Sequence, residues 1–180
     1  MVCTGNICRS PAAERWLARL GDDSVSVSSA GIAAVVGAPI PPDMAWLLEQ
    51  AGLSADGHGG RQLTPATIRA SDLILTMTTE HRRWVVGRVP EAVRRTFTLV
   101  ELARVARLGA GAPCGPTTAD RLRGLVAAAP RARAQLHLAD DGFGAGLDVP
   151  DPFGRGMAAS EHAFSAIRAA VAVIAGPPAG

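Results

Sequence analysis

Two residues able to do chemistry together stand at the start of this chain. Cys3 and Arg9 are six positions apart in the run Cys-Thr-Gly-Asn-Ile-Cys-Arg-Ser-Pro, residues 3–11. The spacing alone says little in a protein with 18 basic residues, all of them arginine. The residues between them say more. Gly5 and Asn6 tolerate positive φ, so the chain can curl until several backbone N–H groups point inward. Pro11 suits the first turn of a helix, whose free N–H groups and dipole add positive potential at the same place. Such a concave nest fits a phosphate dianion. Within it the thiolate, the nucleophilic form of cysteine, is favoured. Arg9 adds charge and a planar fork that engages two phosphate oxygens, and Ser10 can donate a hydrogen bond to the sulfur. Thr4, Gly5, Asn6, Ile7, Cys8 and Ser10 thus read as a phosphate-binding loop around Cys3. The competing description is a glycine-containing turn before an amphipathic helix, with a buried structural cysteine.

A loop of this kind needs elements to hold it, and the chain supplies an alternation of helical and strand-like segments. Helices are expected at 11–20 and 42–51, each stopped by a glycine, around 79–86, and at 160–175. Strands are expected at 24–29, where Ser and Val alternate, at 72–77 (DLILTM), and at 95–99. The implied fold is α/β, a three-layer sandwich with a small parallel sheet. Residues 1–176 are expected to form one domain, with a surface insertion at about 109–146 that contains one helix, 118–128. Only Met1 and Val2 precede Cys3, so the first strand reads as a truncated stub. About four to six further strand residues are expected upstream.

Composition narrows the function classes. An apolar share of 48% is ordinary for a folded domain, and a formal charge of +2 implies neither a nucleic-acid nor a membrane partner. The arginines at 82, 83, 88, 94 and 95 lack interleaved aromatics and read as a solvated face. Residues 166–175 are too short an apolar run, interrupted by Arg168, to span a bilayer. Three cysteines without framework spacing argue for a cytoplasmic protein. His81, His137 and His162 show no metal-ligand spacing; Asp140, Asp141 and Asp148 read as a solvated acidic loop, and Trp46 and Trp84 as core. No metal or cofactor is expected.

The run from Cys3 resembles the signature of the low-molecular-weight protein-tyrosine phosphatases, Cys-x5-Arg-Ser-Pro with its Gly-Asn-x-Cys interior. Further segments resemble that family in order: Ser29-Ala30-Gly31, His58-Gly59-Gly60-Arg61-Gln62, the strand at 72–77, and Val149-Pro150-Asp151-Pro152-Phe153. The resemblance implies a phosphocysteine on Cys3, phosphoryl binding by Arg9, and Asp151 as general acid. It also implies a hydrogen-bonded strut of Asn6, Ser29 and His58 that supports the loop. The family's first strand lies centrally in the sheet. The implied substrate is a phosphotyrosine-containing protein, and a monomer is the default. Val35, Val36 and Phe153 are candidate apolar walls for an aryl ring.

Two other functions share these features. Thioredoxin-coupled arsenate reductases use the same loop but need further cysteines as a relay. Here the remaining thiols are Cys8, inside the loop, and Cys114, in the insertion. A non-catalytic phosphate-binding module is the description that a missing first strand would favour.

Overall fold

A computed structural model describes residues 1–109, 115–132 and 146–176. Its four strands are β1 (Val2–Cys3), β2 (Ala30–Gly31), β3 (Ile74–Thr76) and β4 (Thr96–Thr98). They form one parallel sheet in the order β2-β1-β3-β4. The helices are α1 (Arg9–Leu20), α2 (Pro42–Gln50), α3 (Pro65–Ala70), α4 (Thr79–Arg88), α5 (Leu99–Arg107), α6 (Thr118–Ala132) and α7 (Met157–Ala175). A 3-10 turn, Pro90–Arg95, leads into β4.

The strand period of two sorts side chains onto two faces. Val2 and Ile74 pack with Ile68, Val85 and Val89 on one side. Cys3, Leu75 and Phe97 join α1, α2, α5, α6 and α7 in the larger core on the other. Three layers result, as expected. At 19 residues α7 is longer than the segment read from the sequence, and by length and composition alone could cross a bilayer. It instead buries Ala163, Phe164, Ile167, Ala170, Val171 and Ile174 in this core.

Short as it is, β1 is central and paired on both sides. Val2 and Cys3 lie opposite Ala30 and Gly31 of β2, and Val2 opposite Thr76 of β3. The Met1 carbonyl accepts from Ala30 N–H at 3.0 Å and the Val2 carbonyl from Met77 N–H at 2.8 Å. Its neighbours β2 and β3 have two and three residues.

Several expectations change. Residues 24–29 form no strand; β2 begins only at Ala30, where hydrogen bonds to β1 become available. Trp46 is 47% exposed rather than core, while Trp84 is half-buried with the Arg88 guanidinium 4.8 Å above its ring. The arginine stretch is not wholly solvated. Arg82 Nε donates to the Thr96 carbonyl at 2.9 Å, and Arg95 Nη2 to that of Ile68 at 3.4 Å. Within the segment read as a surface insertion, α6 buries Leu125 and Ala129 in the main core. Its Arg121 donates to the Ile174 and Val173 carbonyls at 2.7 and 2.9 Å, closing the end of α7. Cys114, His137, Asp140 and Asp141 lie outside the described residues.

Candidate active site

The loop after Cys3 leaves the sheet at the carboxyl end of β1, where the strand order turns in both directions. In parallel sheets, ligands bind in this crevice. The loop's carbonyls are taken up from outside. Thr4 O accepts from Ala33 N–H at 3.0 Å and Gly5 O from Val35 N–H at 2.9 Å. The Asn6 carbonyl lies 2.7 Å from His58 Nε2, which donates to it. A trans peptide holds its C=O and N–H on opposite sides, so the N–H groups of these units face the concave side.

Asn6 is the residue that fixes the curl. It sits at φ 55°, a left-handed conformation that asparagine accepts more readily than most side chains. Fully buried, it uses its whole amide. Nδ2 donates to Ser10 Oγ at 2.9 Å and to Ser29 Oγ at 2.8 Å, while Oδ1 accepts from Arg61 N–H at 2.8 Å. The Ser29 hydroxyl donates in turn to the Glu14 carboxylate, which also lies 3.5 Å from Arg61. Ser10 Oγ accepts from Asn6 and lies 2.9 Å from Cys3 Sγ, to which its hydroxyl can donate. A donor aimed at sulfur supports negative charge there. Cys8, on the same loop, has its thiol pushed up to about 12, first by burial and then by the charge of Cys3. It stays a thiol at neutral pH.

Close packing demands glycine beside the loop. A Cβ on Gly31 would stand 2.4 Å from the Thr4 carbonyl, and one on Gly60 2.3 Å from that of Val35. Sequence reading gave Gly31 a place in a matched segment without a role. Glu14, half-buried on α1 beside Ser29, was missed because a carboxylate in an amphipathic helix ordinarily faces solvent.

Arg9 opens α1 and is buried at 4% exposure. One guanidinium nitrogen lies 2.7 Å from Asp151 Oδ2, and the other donates to the Val149 carbonyl at 3.2 Å. The segment carrying Asp151 is held to the sheet by Val149 N–H, which donates to Met77 O at 2.8 Å. Asp148, read as a solvated acid, is exposed and also bonds the start of α4: its carboxylate accepts from Thr79 N–H at 2.7 Å. That arrangement suits the positive end of a helix.

These residues enclose one cavity of about 190 Å³, with Cys3, Arg9 and Asp151 on its polar side. Ile7, Val35 and Phe153 supply apolar wall. Val36 is 73% exposed and does not line the cavity; the turn after β2 presents Val35 instead. Among the described residues no group of three His, Cys, Asp or Glu side chains is placed to hold a metal ion.

Residues 1–109 match the family model of the low molecular weight phosphotyrosine protein phosphatases. This chain belongs to that family. The phosphatase Etp of Escherichia coli strain K12 is 44% identical over 97 residues, 54% of this chain and 65% of Etp, so this match spans just under two thirds of that relative. The tyrosine phosphatase Wzb of Escherichia coli K30, solved with sulphate, superposes with a TM-score of 0.66 at 26% identity, over 94% of this chain and 90% of Wzb. YwlE, an arginine phosphatase of Geobacillus stearothermophilus, gives a TM-score of 0.70 at 26% identity, over 97% of this chain and 87% of YwlE. The low molecular weight phosphatase fold thus extends through α7, beyond the residues that the family model matches.

Proposed function

We propose that this protein hydrolyses aryl phosphate monoesters, phosphotyrosine in a protein partner above all, through a phosphocysteine on Cys3. The observation that carries the reading is the chain Asn6–Ser10–Cys3, which directs a hydroxyl proton at the sulfur beside a buried Arg9. The substrate's phosphoryl oxygens occupy the inward N–H groups and the Arg9 fork. To do so they displace the Asp151 carboxylate from Arg9; released from that cation beside the incoming phosphate, it takes up a proton from solvent and turns to the leaving oxygen as the neutral acid. Cys3 attacks phosphorus in line; the S–P bond forms as the P–O bond to the phenol breaks, and Asp151 delivers the proton that oxygen takes. Asp151 then accepts a proton from the water that attacks phosphorus and releases Cys3. Ser10 steadies the thiolate as it departs.

Ile7, Val35 and Phe153 favour a flat apolar ring over the polar guanidinium of a phosphoarginine, the group implied by the name of YwlE. The same reading places the protein in the cytoplasm as a monomer, with no metal, cofactor, nucleic acid or membrane required. The test is phosphate release from para-nitrophenyl phosphate, a phosphotyrosine peptide and a phosphoarginine peptide, run beside arsenate-dependent thiol consumption. Turnover of the aryl esters in preference to the others is expected. Preferred release from phosphoarginine would reassign the substrate, thiol consumption would reassign the reaction, and phosphate binding without any turnover would leave a binding module.

A further inference from the structure

The mechanism above leaves one buried histidine unused. His81, on the first turn of α4, is 3% exposed. Its Nε2 lies 2.9 Å from Thr4 Oγ1, and its Nδ1 2.8 Å from Thr78 Oγ1. Thr4 adjoins the nucleophile and lines the cavity, with its residue exposed. Thr78 is the N-cap of α4, and its hydroxyl oxygen accepts from His81 N–H at 3.2 Å. A hydroxyl–imidazole–hydroxyl chain therefore runs from the helix cap to the phosphate loop.

The chain has a preferred direction. Burial, and next the Arg9 guanidinium, hold the imidazole down at about 4, so it is neutral at physiological pH. Asp151, Asp148 and Glu80 act in the opposite direction and do not restore its charge. A neutral imidazole has one donor and one acceptor. The Thr78 oxygen already receives a backbone N–H, and in the inferred arrangement its own proton goes to Nδ1. Nε2 then carries the ring proton and donates it to Thr4 Oγ1. With that oxygen satisfied, the Thr4 hydroxyl proton is turned toward the cavity.

We propose that Thr4 donates this hydroxyl hydrogen bond to a phosphoryl oxygen of the bound monoester, and that His81 is the positioning residue that aims it. The inference rests on the phosphatase reading of the site, and its test separates the two. Inorganic phosphate is titrated calorimetrically into Cys3→Ser protein, alone and with second substitutions. Thr4→Val is expected to weaken binding roughly ten- to hundredfold, the usual value of a hydrogen bond to a charged group. Thr4→Ser recovers most of that loss. His81→Phe weakens binding comparably, and adding it to Thr4→Val costs nothing further. Nitrogen-15 NMR of the wild-type protein is expected to find His81 as the Nε2–H tautomer. Phosphate affinity unchanged by Thr4→Val, additive losses in the double variant, or an Nδ1–H tautomer would each overturn the proposal. A Cys3→Ser protein that binds no phosphate at all would overturn the site reading, and this inference with it.

Discussion

The phosphate loop and the Asp151 loop face each other across one cavity but are held in different ways. The first is tied from every side. Asn6 makes three side-chain hydrogen bonds within a shell of Ser10, Ser29 and Arg61, and the carbonyls of Thr4, Gly5 and Asn6 are each satisfied from other segments. The second is anchored at its base, by Val149 to Met77 and Asp148 to Thr79, while Asp151 itself is 48% exposed and Phe153 66% exposed. The Asp151 carboxylate is held by the ion pair with Arg9 and by Phe153 N–H of its own turn, at 3.2 Å. Under the proposed mechanism the difference matches two tasks: a loop that stabilises charge in a transition state must not reorganise, whereas an acid that exchanges a cation for a leaving group must move.

The largest effect that sharpens this contrast is loss of the nucleophile. Cys3→Ser should lower turnover on the order of 10³-fold or more while leaving phosphate binding, since the surrounding frame does not depend on the sulfur. Retained turnover measured with para-nitrophenyl phosphate would show that another residue attacks. Asp151→Ala comes next. It should slow phenyl phosphate by roughly 10²- to 10⁴-fold but nitrophenyl phosphate much less, because only a poor leaving group needs the proton. Its phosphate affinity should not fall, as Arg9 is released from a competing partner. Equal losses for both esters would remove Asp151 from the acid role.

How legible this was from sequence differs between the two regions. Residues 3–11 declared the loop because Cys3, Asn6, Arg9, Ser10 and Pro11 each answer to backbone geometry or to phosphate chemistry, whereas Gly5 takes no positive φ. The Asp151 segment could be placed only by resemblance, since an aspartate between prolines suits any turn. The frame was least legible. Glu14, Gly31 and His81 act through contacts with residues 15, 27 and 77 positions away, and no local pattern encodes such distances. Helix boundaries came within a few residues where proline and glycine mark them. Residues 24–29 misled, because their alternation of Ser and Val satisfies a strand's period while toward β1 they offer the Ser28 carbonyl, which accepts from the Met1 amino group, and ladder pairing starts at Ala30. Trp46 failed for a related reason: the side of α2 that faces the core is taken by Met44, Leu47 and Leu48.

The frame can be broken without touching the cavity. Asn6→Ala strands the Arg61 N–H and removes the donors to Ser10 and Ser29 while keeping a side chain at positive φ. Destabilisation of about 3 kcal/mol or more is expected in denaturant unfolding, with most activity lost. Asn6→Gly relieves the backbone strain but not the lost bonds, and should fall between. If both variants matched wild type, the loop would be held by its backbone contacts alone.

The smallest expected effect tests His81 through stability. Its ionisation is depressed from 6.5 to about 4 in the folded protein, so between those values the unfolded chain binds more protons than the native one. Stability is therefore complete above about pH 6.5 and is lost as pH falls toward 4, by up to about 3 kcal/mol at the limit. His81→Phe keeps a ring of similar size in the buried site but removes the titration. Its stability should decline less steeply over that window, while its absolute stability at pH 7 is lower through the loss of the ring's hydrogen bonds to Thr4 and Thr78. Urea unfolding of both proteins at half-unit pH steps measures the difference, and comparing slopes cancels the carboxylates common to both. Parallel curves would mean that the imidazole takes up its proton in the folded state as readily as in the unfolded one. The link from the α4 cap to Thr4 would then carry a charged group, and the rigid side of the cavity would be less closed to protons than its hydrogen bonds suggest.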